Sequence, residues 1–455
     1  MNALYVVCGL GVISLMAEIV NLRKQLLVLL ITGLAAAMIL VLRDWNTTQS
    51  YFSNMLVFDS VSLAFTGIIA LLIFFWFWMS RDYFKNETHI TDQAALILFC
   101  GTGAIVLTSF NSLVMLFLGI EILSIPLYVL AGSSKNSFRS NEASFKYFLM
   151  GSFASAFLLM GIALVYGATQ TFYIDQIAER LTDTASLPSF LYLGIFLMFV
   201  GMAFKISAVP FHFWAPDVYE GAPTSITAFM STVVKVAAFA AFVRLFNQTF
   251  AGTQSSWIFV VQIITMLTLV VANITAVYQN NVKRMLAYSS VGHAGYILLA
   301  FVAGSGAEPV IIYYLAVYAI SSLISFGIVS LVESQRDGEL DSFKNLYHTN
   351  PLLAVVFTLA LLSLAGIPPL AGFIGKYQVF ALALSQGQLV LVLLAVATSL
   401  IGVFYYFKVI IAMFGPGTTK EELVVSSSAK TLLLVLSVIV LVLGVLPDLI
   451  MAYIR

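Results

Sequence analysis

The sequence predicts an all-α polytopic membrane protein of about fourteen transmembrane helices, and three observations predict it. Only 9% of the residues are charged and 61% are hydrophobic, with a mean hydropathy of +1.01; soluble domains carry roughly 25% charged residues. The hydrophobic residues form long continuous runs, and a spanning helix needs about 20 of them. Strands of a membrane barrel would instead alternate over short segments. Lysine and arginine also gather in alternate connections, as a consistent orientation requires.

Bounding each run by its polar flanks places the spans at 3–20, 25–42, 56–80, 93–109, 112–132, 143–168, 189–215, 224–246, 257–278, 285–304, 309–332, 351–385, 388–414 and 430–453. The connections are short, the most polar being 80–92, 133–142 and 333–350. No linker separates soluble domains, so a single bundle is expected. The first run has no basic leader, Glu18 interrupts its end, and no small-residue cleavage site follows; it reads as a retained helix. A net charge of zero suggests no nucleic-acid partner. Cys8 and Cys100 each sit inside an apolar run with no Cys/His grouping around them, which is the setting of small core residues. No P-loop, strand-borne GxGxxG or metal-ligand cluster is present in the sequence.

With the N-terminus placed outside, the cytoplasmic connections hold twelve basic residues: Arg23, Lys24, Arg81, Lys85, Lys135, Arg139, Lys283, Arg284, Arg336, Lys344, Lys420 and Lys430. The outer side holds four, Arg43, Arg180, Arg244 and Arg455. This bias supports both termini facing outward and an even number of spans. Of the twenty-one lysines and arginines, five remain inside spans: Lys146, Lys205, Lys235, Lys376 and Lys408. Lys146 and Lys408 lie near enough to a cytoplasmic end to snorkel, and for these a bland role weighs as much as a functional one. Lys205, Lys235 and Lys376 lie too deep for that, as does Glu121, midway along LFLGIEILSIPL.

A charge at the bilayer centre costs roughly 2.5–3.5 kcal/mol on insertion scales, so such residues face partners or a wet cavity. Burial penalises the charged form of any ionisable group, and a buried lysine can therefore change protonation near neutral pH. A glutamate held close would retain its proton; moving the two apart would release it. Static salt bridges are the competing reading, but three deep lysines against one deep acid leave an excess that pairing cannot neutralise. Pro210, and the pair Pro368 and Pro369, interrupt the seventh and twelfth spans beside Lys205 and Lys376. Prolines free helix carbonyls, and interrupted helices beside midplane charges are a transporter pattern. His212 and His293 also lie within spans, where each can pass a proton between its ring nitrogens or simply pack. An offset of 172 residues aligns LYVLAG, ending at Gly132, with LAFVAG, ending at Gly304, and sets Glu121 opposite His293. That alignment is faint, and the two interrupted helices match only loosely.

Three segments carry a family resemblance: KISAVPFHFWAPDVYEGAPT, VKRMLAYSSVGHAGYILL and LAGIPPLAGFIGKYQVF. They resemble the hallmark segments of the antiporter-like membrane subunits of proton-pumping NADH–quinone oxidoreductase, respiratory complex I. Those subunits are in turn related to subunits of Mrp-type cation/proton antiporters. The resemblance covers about residues 56–450. A lysine in GFIGK and a chain stopping after its fourteenth span are similar to the N type of these subunits.

The resemblance implies two inverted five-helix repeats with broken helices 7 and 12. The chain then divides into an N-terminal three-helix segment (1–92), the two repeats (93–250 and 251–414) and a C-terminal helix (415–455). It implies a proton relay in which Glu121 pairs with Lys205, Lys235 connects, Lys376 serves the second half-channel and Lys146 is a further lysine of the sixth helix. His293 falls where the central polar axis would run. It also implies no cofactor in this chain, with FMN, iron–sulfur clusters and quinone in partner subunits. The expected partners are other membrane and peripheral complex I subunits, antiporter-like ones among them, and the lipid bilayer. The expected location is a bacterial inner membrane, with a subunit of an Mrp-type antiporter as the alternative.

Overall fold

A computed structural model describes residues 2–81, 84, 89–182, 187–304, 306–417 and 421–454. Lys85, Lys420 and Arg455, three of the basic residues used above for orientation, lie outside the described residues. The chain is a mostly helical, multi-span membrane protein. Its apolar helices are α1 (Asn2–Met16), α2 (Leu26–Arg43), α3 (Ser60–Met79), α4 (Ile90–Ser109), α5 (Leu113–Ala131), α6 (Phe138–Thr169) and α7 (Phe190–Lys205). A short α8 (Trp214–Gly221) leads into α9 (Thr224–Thr249), then α10 (Gln254–Val277), α11 (Val282–Val302) and α12 (Glu308–Glu333). The last are α13 (Pro351–Ala365), α14 (Ala371–Ser385), α15 (Leu389–Phe414) and α16 (Ser427–Val445). Among the described residues eleven helices are long and apolar enough to cross a membrane; α1, α7 and α13 are shorter apolar helices.

Two of the long spans expected from hydropathy are interrupted. α7 stops at Lys205, and eight residues that include Pro210 separate it from α8. α13 stops at Ala365, and five residues that include Pro368 and Pro369 precede α14. Gly366 takes a left-handed φ of +85°, which only glycine adopts freely and which turns the chain out of α13. The Val209–Pro210 and Pro368–Pro369 peptide bonds are cis.

The all-α expectation omits one element. Between α2 and α3, β1 (Gln49–Tyr51) pairs antiparallel with β2 (Leu56–Phe58), Gln49 opposite Phe58 and Tyr51 opposite Leu56. Strands of three residues are too short to display an alternating pattern, so hydropathy could not reveal them. Directly after β2, Asp59 and Ser62 form a reciprocal cap, Ser62 N donating to Asp59 Oδ1 at 2.7 Å and Asp59 N to Ser62 Oγ at 2.8 Å. This satisfies two of the donors that a helix start leaves free.

The helices sort by depth. α9 is buried along its length, and α11 and α12 are nearly so, whereas α2, α6, α10 and α15 keep most of their surface on the outside of the bundle. α6 lies along α7 and α10 along α11. Gly161 on α6 and Gly194 on α7 meet backbone to backbone, an approach that a side chain at either would block. The three central helices therefore carry the interior, and what polar groups they bear are forced to find partners there.

Two charges placed at span ends by the loop count are buried. Arg244 is 5% exposed; its guanidinium pairs with Asp59 at 2.9 Å and donates from Nε to the Phe110 carbonyl at 2.6 Å. Lys283 is 3% exposed, pairs with Glu333 at 3.6 Å and donates to the Ala222 carbonyl at 2.6 Å. Both sit near a helix terminus, Lys283 in the first turn of α11 and Arg244 in the last six residues of α9, where hydropathy cannot tell a loop from the edge of the packed core.

Candidate functional site

Lys205 ends α7 at the first break and is buried. Its Nζ donates to Ser124 Oγ on α5 at 2.6 Å and lies 5.9 Å from the centre of the Tyr147 ring. Ser124 is three residues beyond Glu121 on the same helix, so carboxylate and serine are neighbours on one face. Glu121 is half-buried rather than fully enclosed, and it accepts a hydrogen bond from Ser155 on α6. Glu121 and Lys205 thus come to adjacent positions without an ion pair between them. A cavity of about 10 Å³, the scale of one water molecule, is lined by Ser124, Tyr128, Ser155 and Lys205.

Lys235 lies on α9 directly after a π-helical turn, Met230–Val234, and donates to the carbonyl of Ser290 at 2.6 Å and to its Oγ at 2.7 Å. The same Ser290 hydroxyl accepts from Tyr318 on α12 at 2.8 Å. One turn along α11 from Ser290, His293 holds Tyr314 at Nδ1 (2.8 Å) and Tyr406 at Nε2 (3.2 Å), and Tyr406 also bonds Ser289. The His293 and Tyr318 rings are 4.9 Å apart. At the second break Lys376 donates to the carbonyl of Ala365 at 2.8 Å and to Ser399 Oγ at 2.9 Å, with Tyr296 beneath it at 4.8 Å from the ring centre.

The three deep lysines share a property that separates them from the other buried cations. Among the described residues none of the three has a carboxylate within ion-pair distance; each is held by neutral hydroxyls and carbonyls. Arg244 and Lys283, by contrast, each have their acid. A carboxylate partner fixes a proton on a lysine; neutral acceptors hold either form and let the proton pass. Hydroxyls and imidazole, which both donate and accept, are the connecting groups.

Lys146 does not join this set. It is 40% exposed at the side chain and pairs with Glu142 at 2.7 Å and Asp217 at 2.8 Å. Arg284 bonds the same Asp217 and Glu220, both at 2.8 Å. These residues and Arg139 line an open cavity of about 190 Å³ at the rim of the bundle. Lys408 donates to the Gln279 carbonyl and to Asn280 at the end of α10. His212 is buried beside the first break, with its Nδ1 unpartnered.

Sequence reasoning found the lysines and missed the serines that hold them, Ser124, Ser290 and Ser399, and the tyrosines that link Ser290 and His293 into the same network, Tyr314, Tyr318 and Tyr406. Helical spacing held part of the signal. Ser124 follows Glu121 by three, Ser290 precedes His293 by three, and Tyr318 follows Tyr314 by four, each pair on one face. With 20 tyrosines in the chain, that spacing could not single these out.

A multi-span helical bundle whose deep lysines lack carboxylate partners among the described residues fits the class of membrane ion-translocating subunits. Comparison with known proteins narrows the class. Residues 110–402 match the family described as NADH:quinone oxidoreductase/Mrp antiporter, transmembrane, and the chain belongs to that family. It is 44% identical over 459 residues to NADH-quinone oxidoreductase subunit N of Cytophaga hutchinsonii, covering 99% of both chains. Its structure is similar to a chain of respiratory complex I from Thermus thermophilus solved with bound aureothin, at a TM-score of 0.84 and 32% identity, over 99% of this chain and 98% of that one. A chain of the Mrp complex from a Dietzia species shares the fold at a TM-score of 0.85 and 22% identity, over 99% and 94%.

Proposed function

We propose that this chain is a proton-translocating membrane subunit of a bacterial NADH–quinone oxidoreductase, of the subunit N type. The observation that carries the reading is the axis from Lys205 through Lys235 and His293 to Lys376, in which no buried lysine is neutralised by an ion pair. Relatives named as subunit N support the assignment. The Mrp-type alternative has in its favour a shared fold at lower identity.

The eleven long apolar helices, with α1, α7 and α13 added, make fourteen crossings once α7–α8 and α13–α14 are each taken as one interrupted span. Residues 93–250 and 251–414 form the two five-helix repeats of inverted direction, following the three-helix segment 1–92 and preceding the C-terminal segment 415–455. Both termini face the outer side of the inner membrane. FMN, iron–sulfur clusters and quinone belong to partner subunits, whose electron transfer supplies the energy.

A proton enters from the cytoplasmic side to Lys205, where Glu121 tunes its retention by Coulomb attraction. It passes to Lys235 and the Ser290–Tyr318 hydroxyls, crosses at His293, and leaves by Lys376. Replacing Lys235 with Met in the assembled complex tests this. Protons moved per electron fall sharply while assembly persists; undiminished pumping in a fully assembled Lys235→Met complex would overturn the relay.

A further inference from the structure

The axis has a gap between His293 and Lys376 that the lysines and the histidine do not themselves bridge, and one polar side chain from an outer helix reaches into it. Asn273 lies on α10, yet its side chain is 1% exposed. Its Nδ2 donates to the Leu269 carbonyl at 2.8 Å, and its Oδ1 accepts from the Tyr405 hydroxyl at 3.2 Å. Two glycines make room for it. A methyl group at Gly292 on α11 would stand 3.2 Å from Nδ2, and one at Gly402 on α15 would stand 3.5 Å from Oδ1. The amide thus occupies a slot between three helices, beside the helix that carries His293.

From that slot it faces both arms of the axis. Tyr405 packs on Tyr406 with ring centres 4.5 Å apart, and Tyr406 holds His293. On the other side stands Tyr296, whose ring lies 5.9 Å from that of His293 and 4.8 Å from the Lys376 ammonium. The Tyr296 hydroxyl is buried without a hydrogen-bond partner among the described residues, and Asn273, Thr398 and Ser399 flank it. Ser399 in turn holds Lys376. A carboxamide has two N–H donors and an acceptor oxygen. With one N–H on Leu269 and the oxygen on Tyr405, the second N–H remains for the Tyr296 side.

We propose that Asn273 is a positioning residue of the proton path: its amide orients the Tyr405 and Tyr296 hydroxyls and so joins the His293 cluster to Lys376. The inference rests on the reading of this chain as a proton conductor. Asn273 carries no proton itself. It sets the direction in which the two tyrosines donate, and a hydrogen-bonded chain conducts only when its donors point the same way.

The test uses the assembled complex in membranes, with protons moved per electron measured alongside NADH oxidation and the amount of assembled complex. Asn273→Leu, close in shape and apolar, and Tyr405→Phe, which breaks the same bond from its other end, each lower protons per electron by about threefold or more, the scale of losing one hydrogen bond. Asn273→Asp supplies a readout that packing alone would not move. Its protonated carboxyl keeps one O–H donor in place of the amide's two N–H groups, so pumping recovers in part as pH falls and is lost as pH rises, a profile absent from the wild type. Normal pumping in both Asn273→Leu and Tyr405→Phe, or an Asn273→Asp complex with the wild-type pH profile, overturns the proposal. Lys235→Met run in parallel separates the two levels: normal pumping there sinks the relay itself, whereas a defect there beside normal Asn273→Leu and Tyr405→Phe complexes sinks only the role of Asn273.

Discussion

At the first helix break Lys205 comes before the interruption, as the last residue of α7, and its ammonium reaches sideways to Ser124 on α5. The Phe204 carbonyl there accepts from the backbone N–H of Ser207 and from the indole N–H of Trp214, both at 3.0 Å. At the second break Lys376 comes after the interruption, in the second turn of α14, and folds back onto the freed carbonyl of Ala365. A backbone and an aromatic donor close one break, and the functional lysine closes the other. Lys205 consequently has one hydrogen-bond acceptor, with a carboxylate three residues from it along α5. Lys376 has two acceptors and, among the described residues, no acid within ion-pair reach. An ammonium can donate three hydrogen bonds, so the Lys205 head is the less anchored of the two. The same local device, proline beside lysine, therefore yields one site open to charge control and one held by neutral polar groups.

The largest effects come from removing the lysines. Lys205→Met and Lys376→Met each cut proton translocation by at least about tenfold, well inside the roughly 10²-fold or more that a positioned proton-transfer group contributes, measured as acidification per NADH oxidised. The contrast sharpens in stability: Lys376→Met also strands the Ala365 carbonyl, worth about 1–3 kcal/mol when buried and unsatisfied. Thermal dissociation of the complex is thus lowered more by Lys376→Met than by Lys205→Met. Equal shifts would show that the freed carbonyl does not depend on the lysine.

Gly366→Ala ranks next. A left-handed φ costs an L-residue about 1–2 kcal/mol, and the added methyl would stand 2.7 Å from Lys376 Cδ. Pumping and assembly both fall, while Lys205 and its surroundings are untouched. A double variant with Lys376→Met is expected to lose no more pumping than Lys376→Met alone, which a pumping assay on the three complexes checks.

Glu121→Gln has a smaller and one-sided effect. It removes the charge nearest Lys205 but leaves a side chain able to accept from Ser155, so pumping drops about threefold, in keeping with loss of one partly screened charge. An effect of the same size in a complex that already lacks Lys205 would break the assignment of Glu121 to that site.

Lys146→Gln changes least. Exposed ion pairs contribute about 0–1 kcal/mol, and with Lys146 on the rim, pumping stays within about twofold of wild type. A severe loss without loss of assembly would place this lysine in the path and make the rim cavity part of it.

The two breaks also show where sequence reading stops. Proline and glycine act on their own backbone, so both interruptions were visible as residues, and so were the lysines beside them. Which donor closes each break was not, because Trp214 lies ten residues from Phe204 along the chain but beside it in space. Glu121 reads as a deep charge from its place in an apolar run, yet it lies half-buried, because depth within a run says nothing of which way a helix face points. Arg244 and Lys283 err in the opposite sense: both read as span ends, and both are enclosed with an acid.

Hydropathy, charge counting and the helix breakers determined by themselves that this is a many-span membrane protein with three lysines deep in its helices. These are local properties, and insertion into a bilayer acts on each segment in turn. Only the tertiary structure decided that those lysines have no carboxylate within ion-pair distance among the described residues, that serines and tyrosines from α5, α11, α12 and α15 hold and connect them, and that Asn273 stands between the two arms. Such choices depend on which helix faces meet, and facing residues share no signature along the chain.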